Sequence, residues 1–247
     1  MFSEKLRYLL RGEPVITVLT GAGISAESGV PTFRGEDGIW KKLKPEELAN
    51  FDAFLKNPAL VWEWYYHRQK LIKDIEPNRG HYALAELETI YKRFYLITQN
   101  IDNLHIRAGS KNPIELHGNI MRNRCIKCGA LSYEVELLKE VSIPECSICS
   151  GMLRPDVVWF GEMLPPQSLK EANRAMQEST IFFSIGTSAQ VQPAASMPIW
   201  AKNYGAYLVE INIEETLLTP YVDEFIKGKS GEILPVLLKE ITSFKSK

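Results

Sequence analysis

Val15-Ile16-Thr17-Val18-Leu19 runs directly into Thr20-Gly21-Ala22-Gly23-Ile24-Ser25-Ala26. The first five residues are mostly β-branched and apolar, as a buried strand requires. The continuation matches G-x-G-x-x-G/A. Its glycines allow a tight turn and close approach of backbone to a pyrophosphate, and its small last residue lets a helix pack on the strand. Amide groups at the following helix start would then meet phosphate oxygens. Alone the pattern is weak, because glycine turns after strands are common. Outward from it, Phe94–Thr98, Ile114–Leu116, Ile181–Ile185 and Ala206–Ile211 are further strand candidates. Helical patterns over His81–Tyr91, Leu169–Glu178 and Ala194–Tyr204 separate them. That alternation predicts an α/β fold: a Rossmann-like parallel sheet with helices on both faces.

One part of the ordinary dinucleotide-binding pattern is missing. A second strand ending in an acidic residue should follow about 20 positions on. The chain instead offers Gly29-Val30-Pro31-Thr32-Phe33-Arg34-Gly35-Glu36-Asp37-Gly38, too rich in glycine and proline for that strand. It reads as a loop closing over a bound ligand. The polar clusters share a location: Gly21–Ser25 after the first strand, Gln99-Asn100-Ile101-Asp102 after the second, and His117-Gly118 after the third. Gly186-Thr187-Ser188 follows the fourth, and Asn212 with Glu214 the fifth. Ligands of open α/β sheets bind outside the carboxyl ends of the strands. Asn212 and Glu214 suit adenine-side ribose hydroxyls in place of the missing acidic residue. Gly186, Thr187 and Ser188 offer amides and hydroxyls to ribose or phosphate.

The four cysteines form two pairs, Cys125-Ile126-Lys127-Cys128 and Cys146-Ser147-Ile148-Cys149, with 17 residues between them. This is the C-x2-C…C-x2-C arrangement of a zinc site. Four thiolates saturate one tetrahedral ion, so the metal is expected to be structural, with no open position for chemistry.

Composition limits the alternatives. The 247 residues, 45% hydrophobic, allow one large domain with a small inserted module. A net charge of −1 argues against a general electrostatic grip on nucleic acid or an anionic membrane. No apolar run reaches the 18 or so residues of a membrane span. The opening Met1-Phe2-Ser3-Glu4-Lys5 is unlike a cleaved signal peptide. Thiols confined to a zinc pattern fit a reducing, cytoplasmic setting. The oligomeric state stays open, and a monomer is compatible with all of this.

Taken together, Gly21 through Arg34, Thr98-Gln-Asn-Ile-Asp102, Glu115-Leu-His-Gly118, the four cysteines and Gly186-Thr-Ser188 resemble a sirtuin. Sirtuins are NAD-dependent protein deacylases with a large Rossmann-like domain and a small module made of a zinc ribbon and helices. The resemblance implies a large NAD-binding domain at 1–33, 79–121 and 154–247. It puts the cofactor loop and helical part of the small domain at 34–78, and the four-cysteine module at 122–153. It implies NAD consumed as co-substrate, one structural Zn2+, and acyl-lysine proteins or peptides as substrates. In the family's chemistry the acyl oxygen attacks C1′ of the nicotinamide ribose and nicotinamide leaves. A histidine then acts as general base, and the products are free lysine and O-acyl-ADP-ribose. His117 takes that role here, a task suited to an ordinary pKa of about 6.5. Asn100 and Asp102 would position ribose and carboxamide. Phe33 would shield the reacting carbon, and Arg34 would hold the loop or phosphate. Gly21, Ala22, Gly23, Ser25, Ala26, Trp40, Gln99, Ile101 and Ser230 complete the expected NAD contacts. His67, His81 and His105 are expected to be structural or solvated.

Within Trp62-Glu-Trp-Tyr65-Tyr-His-Arg68, a helix would put Tyr65 and Arg68 on one face. A phenol and a forked guanidinium form a receptor for a carboxylate. Spacing alone equally describes an aromatic helix packed on a core. The match is to Tyr-x-x-Arg of the sirtuin subgroup that removes succinyl, malonyl or glutaryl groups, with Ala49 making room for the longer chain. Val157-Val158-Trp159-Phe160-Gly161-Glu162 resembles the segment that pairs with an extended acyl-lysine peptide, where Val158, Phe160 and Gly161 would line the path of the lysine. Val157 and Trp159 are read nearly as well as simple strand packing. Three other functions remain for comparison: a zinc-ribbon nucleic-acid binder, disfavoured by mixed charge around the cysteines; a mono-ADP-ribosyltransferase, which would share nicotinamide cleavage; and a hydride-transferring dehydrogenase, disfavoured by the missing second strand.

Overall fold

The computed structural model describes residues 1–31, 48–133 and 143–245. The loop residues Phe33, Arg34 and Trp40 therefore lie outside the described residues, as does part of the segment between the cysteine pairs. In chain order the described elements are α1 (Glu4–Arg11), β1 (Ile16–Thr20), α2 (Ala22–Ala26), α3 (Phe51–Lys56), α4 (Pro58–Lys73), α5 (Arg79–Ile90), β2 (Phe94–Thr98) and α6 (Leu104–Arg107). They continue with β3 (Ile114–Glu115), β4 (Gly118–Cys125), β5 (Leu131–Ser132), β6 (Leu153–Val157), α7 (Pro166–Glu178) and β7 (Ile181–Ile185). Last come α8 (Met197–Asn203), β8 (Tyr207–Asn212), β9 (Glu224–Lys227) and α9 (Ser230–Lys245).

Six strands pair in the order β3-β2-β1-β7-β8-β9, every neighbouring pair parallel. Strand alternation splits their apolar side chains between two layers. Ile16, Val18, Ile181, Phe183, Val209 and Ile211 face one layer with residues of α1, α5 and α9. Leu19, Ile97, Phe182 and Leu208 face the other with residues of α7 and α8. Coverage of both faces explains why these strands read as nearly unbroken apolar runs. Five of the six strands were legible in the sequence. The sixth, β9, was missed because Glu224-Phe-Ile-Lys227 is short and half polar, as an edge strand can be.

A smaller antiparallel sheet, β5-β4-β6, lies beside the first. Its core joins Ile120, Leu153, Val157 and Trp159 with Phe54, Val61, Trp62, Tyr65 and Ile72 of α3 and α4. Two polar bonds pin α4 to this sheet: Trp62 Nε1–H donates to the Leu153 carbonyl at 3.0 Å, and Gln69 Nε2 to that of Ile120 at 2.7 Å.

The chain crosses from one sheet to the other over Leu116-His117. Gly118 makes the crossing possible, with φ of +78° in the left-handed region and its backbone pressed on the carbonyl of Asp156. Any Cβ there would overlap that oxygen. Gly118→Ala should therefore cost at least about 2 kcal/mol, seen as a Tm lowered by roughly 4–8 °C. A melting point within a degree of the parent would show that the strand moves off Asp156 freely.

Candidate active site

All six parallel strands end on the same edge, and the order of strands reverses between β1 and β7. That reversal is where open α/β sheets bind ligands. The turns after the two strands touch there through glycine backbone. Gly23 N–H donates to the Gly186 carbonyl at 2.8 Å, and Gly21 N–H to that of Ile185 at 3.0 Å. A Cβ on Gly23 would stand 2.7 Å from Gly186 Cα, and one on Gly21 2.8 Å from the Gly186 oxygen. Side chains at either glycine would push the two turns apart, so the glycines hold together the crevice at the strand ends where such folds bind a dinucleotide. Thr187 ties the neighbouring ends in: its hydroxyl accepts from Gln99 Nε2 at 3.1 Å and its carbonyl from Asn212 Nδ2 at 2.9 Å. Ser188 and Glu214 are exposed on the same edge. Ser230 is buried at the start of α9, where its hydroxyl and the Gly231 N–H both bond Glu27.

Ser25 is the centre of a buried polar network. Its hydroxyl donates to Asp102 Oδ2 at 2.6 Å and accepts from Asn100 Nδ2 at 3.2 Å. His81 Nε2 lies 3.3 Å from the same oxygen, while His81 Nδ1 accepts from Asn78 N–H at 3.3 Å. The proton therefore belongs on Nε2, which donates to Ser25, and every valence of that hydroxyl is used. Asn100 Nδ2 also reaches the Gly21 carbonyl at 3.0 Å, and Asp102 Oδ1 accepts from Leu104 N–H at 3.0 Å. Burial pushes the Asp102 carboxyl up, opposed by the Ser25 and Leu104 bonds. It pushes His81 down to about 4, and His105, bonded to Thr20 at 2.9 Å, well below its ordinary range. His81 and His105 are thus buried and hydrogen-bonded, while His67 is exposed. The sequence left His81's part in the network unread; the one available signal was Asn78-x-x-His81, the capping box of α5.

His117 stands between the two sheets. Its Nδ1 is 2.8 Å from the Gln99 carbonyl, so Nδ1 carries the proton and Nε2 the lone pair. Burial lowers its pKa, and the Gln99 bond partly counters this. The Val158 N–H donates to the His117 carbonyl at 2.9 Å, which brings the Val158–Phe160 segment alongside. The Phe160 N–H donates to the Ala49 carbonyl at 2.9 Å, and Gly161 turns the chain with φ of +85°. Tyr65 and Arg68 do lie one turn apart on α4, and the Arg68 guanidinium sits 4.9 Å from the Trp64 ring centre. Burial lowers the Arg68 pKa and pushes that of Tyr65 up to about 12.

The four cysteine sulfurs lie within 4.8 Å of one another. Cys125–Cys149 and Cys128–Cys146 approach to 3.5 and 3.7 Å. Zinc bonds of about 2.3 Å in a tetrahedron put sulfurs about 3.8 Å apart, so the cluster fits that ion and is far too open for disulfides. Each pair ends in a tight turn whose next residue, Gly129 or Ser150, has positive φ. Elemental analysis should find one zinc per chain. Cys146→Ser should lose that zinc and lower the melting temperature, since bound metal is part of the folding free energy; zinc-free protein with the parent's stability would contradict a structural ion.

The Sir2 family model matches residues 21–193, more than half of the chain. The chain is 51% identical to "NAD-dependent protein deacylase 2" of Pyrobaculum aerophilum, over 94% of its own length and 93% of that protein. It is 53% identical to the "NAD-dependent protein deacylase" of Aquifex aeolicus, over 87% and 90% of the two chains. A solved Sir2 homolog–NAD complex superposes with a TM-score of 0.91 at 45% identity, covering 98% of this chain and 95% of that one. With the family's motifs spread over the strand ends and the fold shared throughout, this chain belongs to the Sir2 family.

Proposed function

We propose that this protein is an NAD-dependent protein-lysine deacylase acting on acyl-lysine in proteins or peptides. The observation that carries the reading is the 2.8 Å bond from His117 Nδ1–H to the Gln99 carbonyl. It leaves Nε2 as the lone-pair nitrogen, in a site where burial keeps the ring neutral. In this reading NAD supplies the ADP-ribose acceptor and the nicotinamide leaving group. His117 Nε2 takes the proton of a ribose hydroxyl. Asn100 and Asp102 orient ribose and carboxamide, and the crevice between the turns after β1 and β7 receives the pyrophosphate. Asn212, Glu214 and Ser230 hold the adenosine end. Val158 and Phe160 flank the lysine, whose peptide pairs with the backbone beside Gly161. Mono-ADP-ribosyl transfer to protein is the less favoured reading, because the matched relatives carry deacylase names.

The finer assignments are ours as well. The acyl group we favour ends in a carboxylate, succinyl or malonyl, with acetyl also accepted. Support comes from Tyr65 and Arg68 together on α4, close to the segment at Ala49 and Phe160. Of the three-part division given by the sequence, the separation of the large parallel sheet is supported by its own two core layers. By contrast, α3 and α4 share a single core with the cysteine module, one that also takes in Ile120, Val157 and Trp159. Boundaries at 121/122 and 153/154 would therefore cut through β4 and β6. A reducing cytoplasm suits the four zinc thiolates. Among the described residues no helix is long and apolar enough to cross a membrane.

Acetyl- and succinyl-lysine peptides incubated with NAD test the proposal, with nicotinamide release and peptide mass as readouts. Loss of acyl mass with equimolar nicotinamide and O-acyl-ADP-ribose is expected; ADP-ribose attached to protein would favour transfer instead. His117→Ala should reduce turnover by about 10²–10⁴-fold with zinc content unchanged, and near-parent rates would remove His117 as the base. Because the base works deprotonated and burial lowers its pKa, activity should persist below the ordinary histidine value of about 6.5 and fall as pH drops through the lowered one. An acid limb at or above 6.5 would contradict that environment. Arg68→Met should cost desuccinylation about 10–100-fold in kcat/KM and deacetylation much less. Equal losses would argue against a carboxylate receptor.

A further inference from the structure

Val158 and Phe160 flank a residue that turns the other way. Trp159 is 2% exposed and packs in the core of the smaller sheet, with Phe54 at 5.4 Å and Tyr65 at 6.2 Å between ring centres. Its indole Nε1–H donates to Tyr65 Oη at 2.7 Å, a buried bond between residues 94 positions apart. The ring is held on both sides of that bond. The Arg154 guanidinium lies over its face at 3.4 Å from the centre. Arg154 in turn forks onto both Glu162 carboxylate oxygens and donates to the Val157 carbonyl at 2.7 Å. Glu162 closes the loop by accepting the Trp159 backbone N–H at 2.8 Å. A cation–π contact, an ion pair and two backbone bonds thus fix one indole orientation.

The consequence falls on Tyr65. A phenol has one proton to give and an oxygen that accepts. The Trp159 N–H occupies acceptor capacity of that oxygen, so what Tyr65 has left to offer a ligand is its proton. Burial holds that proton in place, with the Tyr65 pKa pushed up to about 12. A carboxylate is acceptor-only and matches a committed donor. An acetyl methyl group accepts nothing and gains nothing from it.

We infer that Trp159 is a positioning residue for acyl selectivity: its indole N–H commits Tyr65 to donate toward the terminal carboxylate of an acyl group, alongside Arg68. The inference rests on the carboxylate-receptor reading of Tyr65 and Arg68 proposed above.

The test compares kcat/KM for succinyl- and acetyl-lysine peptides of one sequence in four proteins: parent, Trp159→Phe, Tyr65→Phe and the double variant. Trp159→Phe should lower the succinyl-to-acetyl ratio about tenfold, mostly through KM for the succinyl peptide, as expected for one lost buried hydrogen bond. In the Tyr65→Phe background the same substitution should leave the ratio unmoved, because Trp159 acts through that hydroxyl. Equal losses for both peptides, or losses that add to those of Tyr65→Phe, would reduce Trp159 to packing and overturn the inference. A ratio lowered by Tyr65→Phe but untouched by Trp159→Phe would overturn it while leaving the receptor standing. A ratio that neither substitution changes would remove both. If the smaller ring unfolds the protein, 3-benzothienylalanine at position 159 keeps the bicyclic shape without the N–H and is judged by the same ratios.

Discussion

Gly23 N–H meets the Gly186 carbonyl at 2.8 Å, and no side chain can enter between them. This contact joins the turns after β1 and β7, which lie on either side of the point where strand order reverses. The ends of β2 and β8 are tied to the same pair of turns. Asn100 bonds the Gly21 carbonyl, Gln99 the Thr187 hydroxyl, and Asn212 the Thr187 carbonyl. Polar groups from β2 and β8 therefore gather around the joined turns that follow β1 and β7. The arrangement costs little, since buried backbone groups need partners in any case.

His117 depends on a second junction, where the chain leaves the parallel sheet. Gly118 lies against Asp156, and the Asp156 carboxylate accepts from Arg122 and Arg124 at 2.7 Å each. Arg122 also meets Glu115 at 2.7 Å. Asp156 is buried and Arg122 and Glu115 are half-buried, while Arg124 reaches the surface. A buried carboxylate is tolerated there only because its hydrogen-bonding capacity is met. The network spans β3, β4 and β6, the strands on either side of His117. The same β4 and β6 carry the cysteine cluster at their far ends, so the metal-binding turns and the histidine share one small sheet.

Burial biases this region toward neutral groups. His81, His105 and His117 are all pushed below the ordinary histidine range, and Asp102 and Tyr65 are pushed up. Desolvation is the leading cause in each case, and hydrogen bonds set how far it goes. Concentrated shifts of this kind are more frequent at functional sites than in ordinary cores. Here one half-buried histidine keeps its lone pair on Nε2, and two are locked into hydroxyl networks.

Much of this was written locally. Two cysteine pairs at zinc spacing, a glycine turn after a buried strand, and a Tyr-x-x-Arg helical step each concern residues within a few positions, where backbone geometry alone decides proximity. Five parallel strands were legible because burial on both faces makes them continuously apolar. The half-polar edge strand Glu224–Lys227 and the two-faced strands Gly118–Cys125 and Leu153–Val157 lacked that signature. Only the tertiary structure decided the pairings that span the chain: Ser25 with Asp102 and His81, Ser230 with Glu27, and Trp159 with Tyr65. A side chain's identity states what it can donate or accept. Which partner it receives is set by the packing of elements dozens to hundreds of residues apart, and no local pattern encodes that.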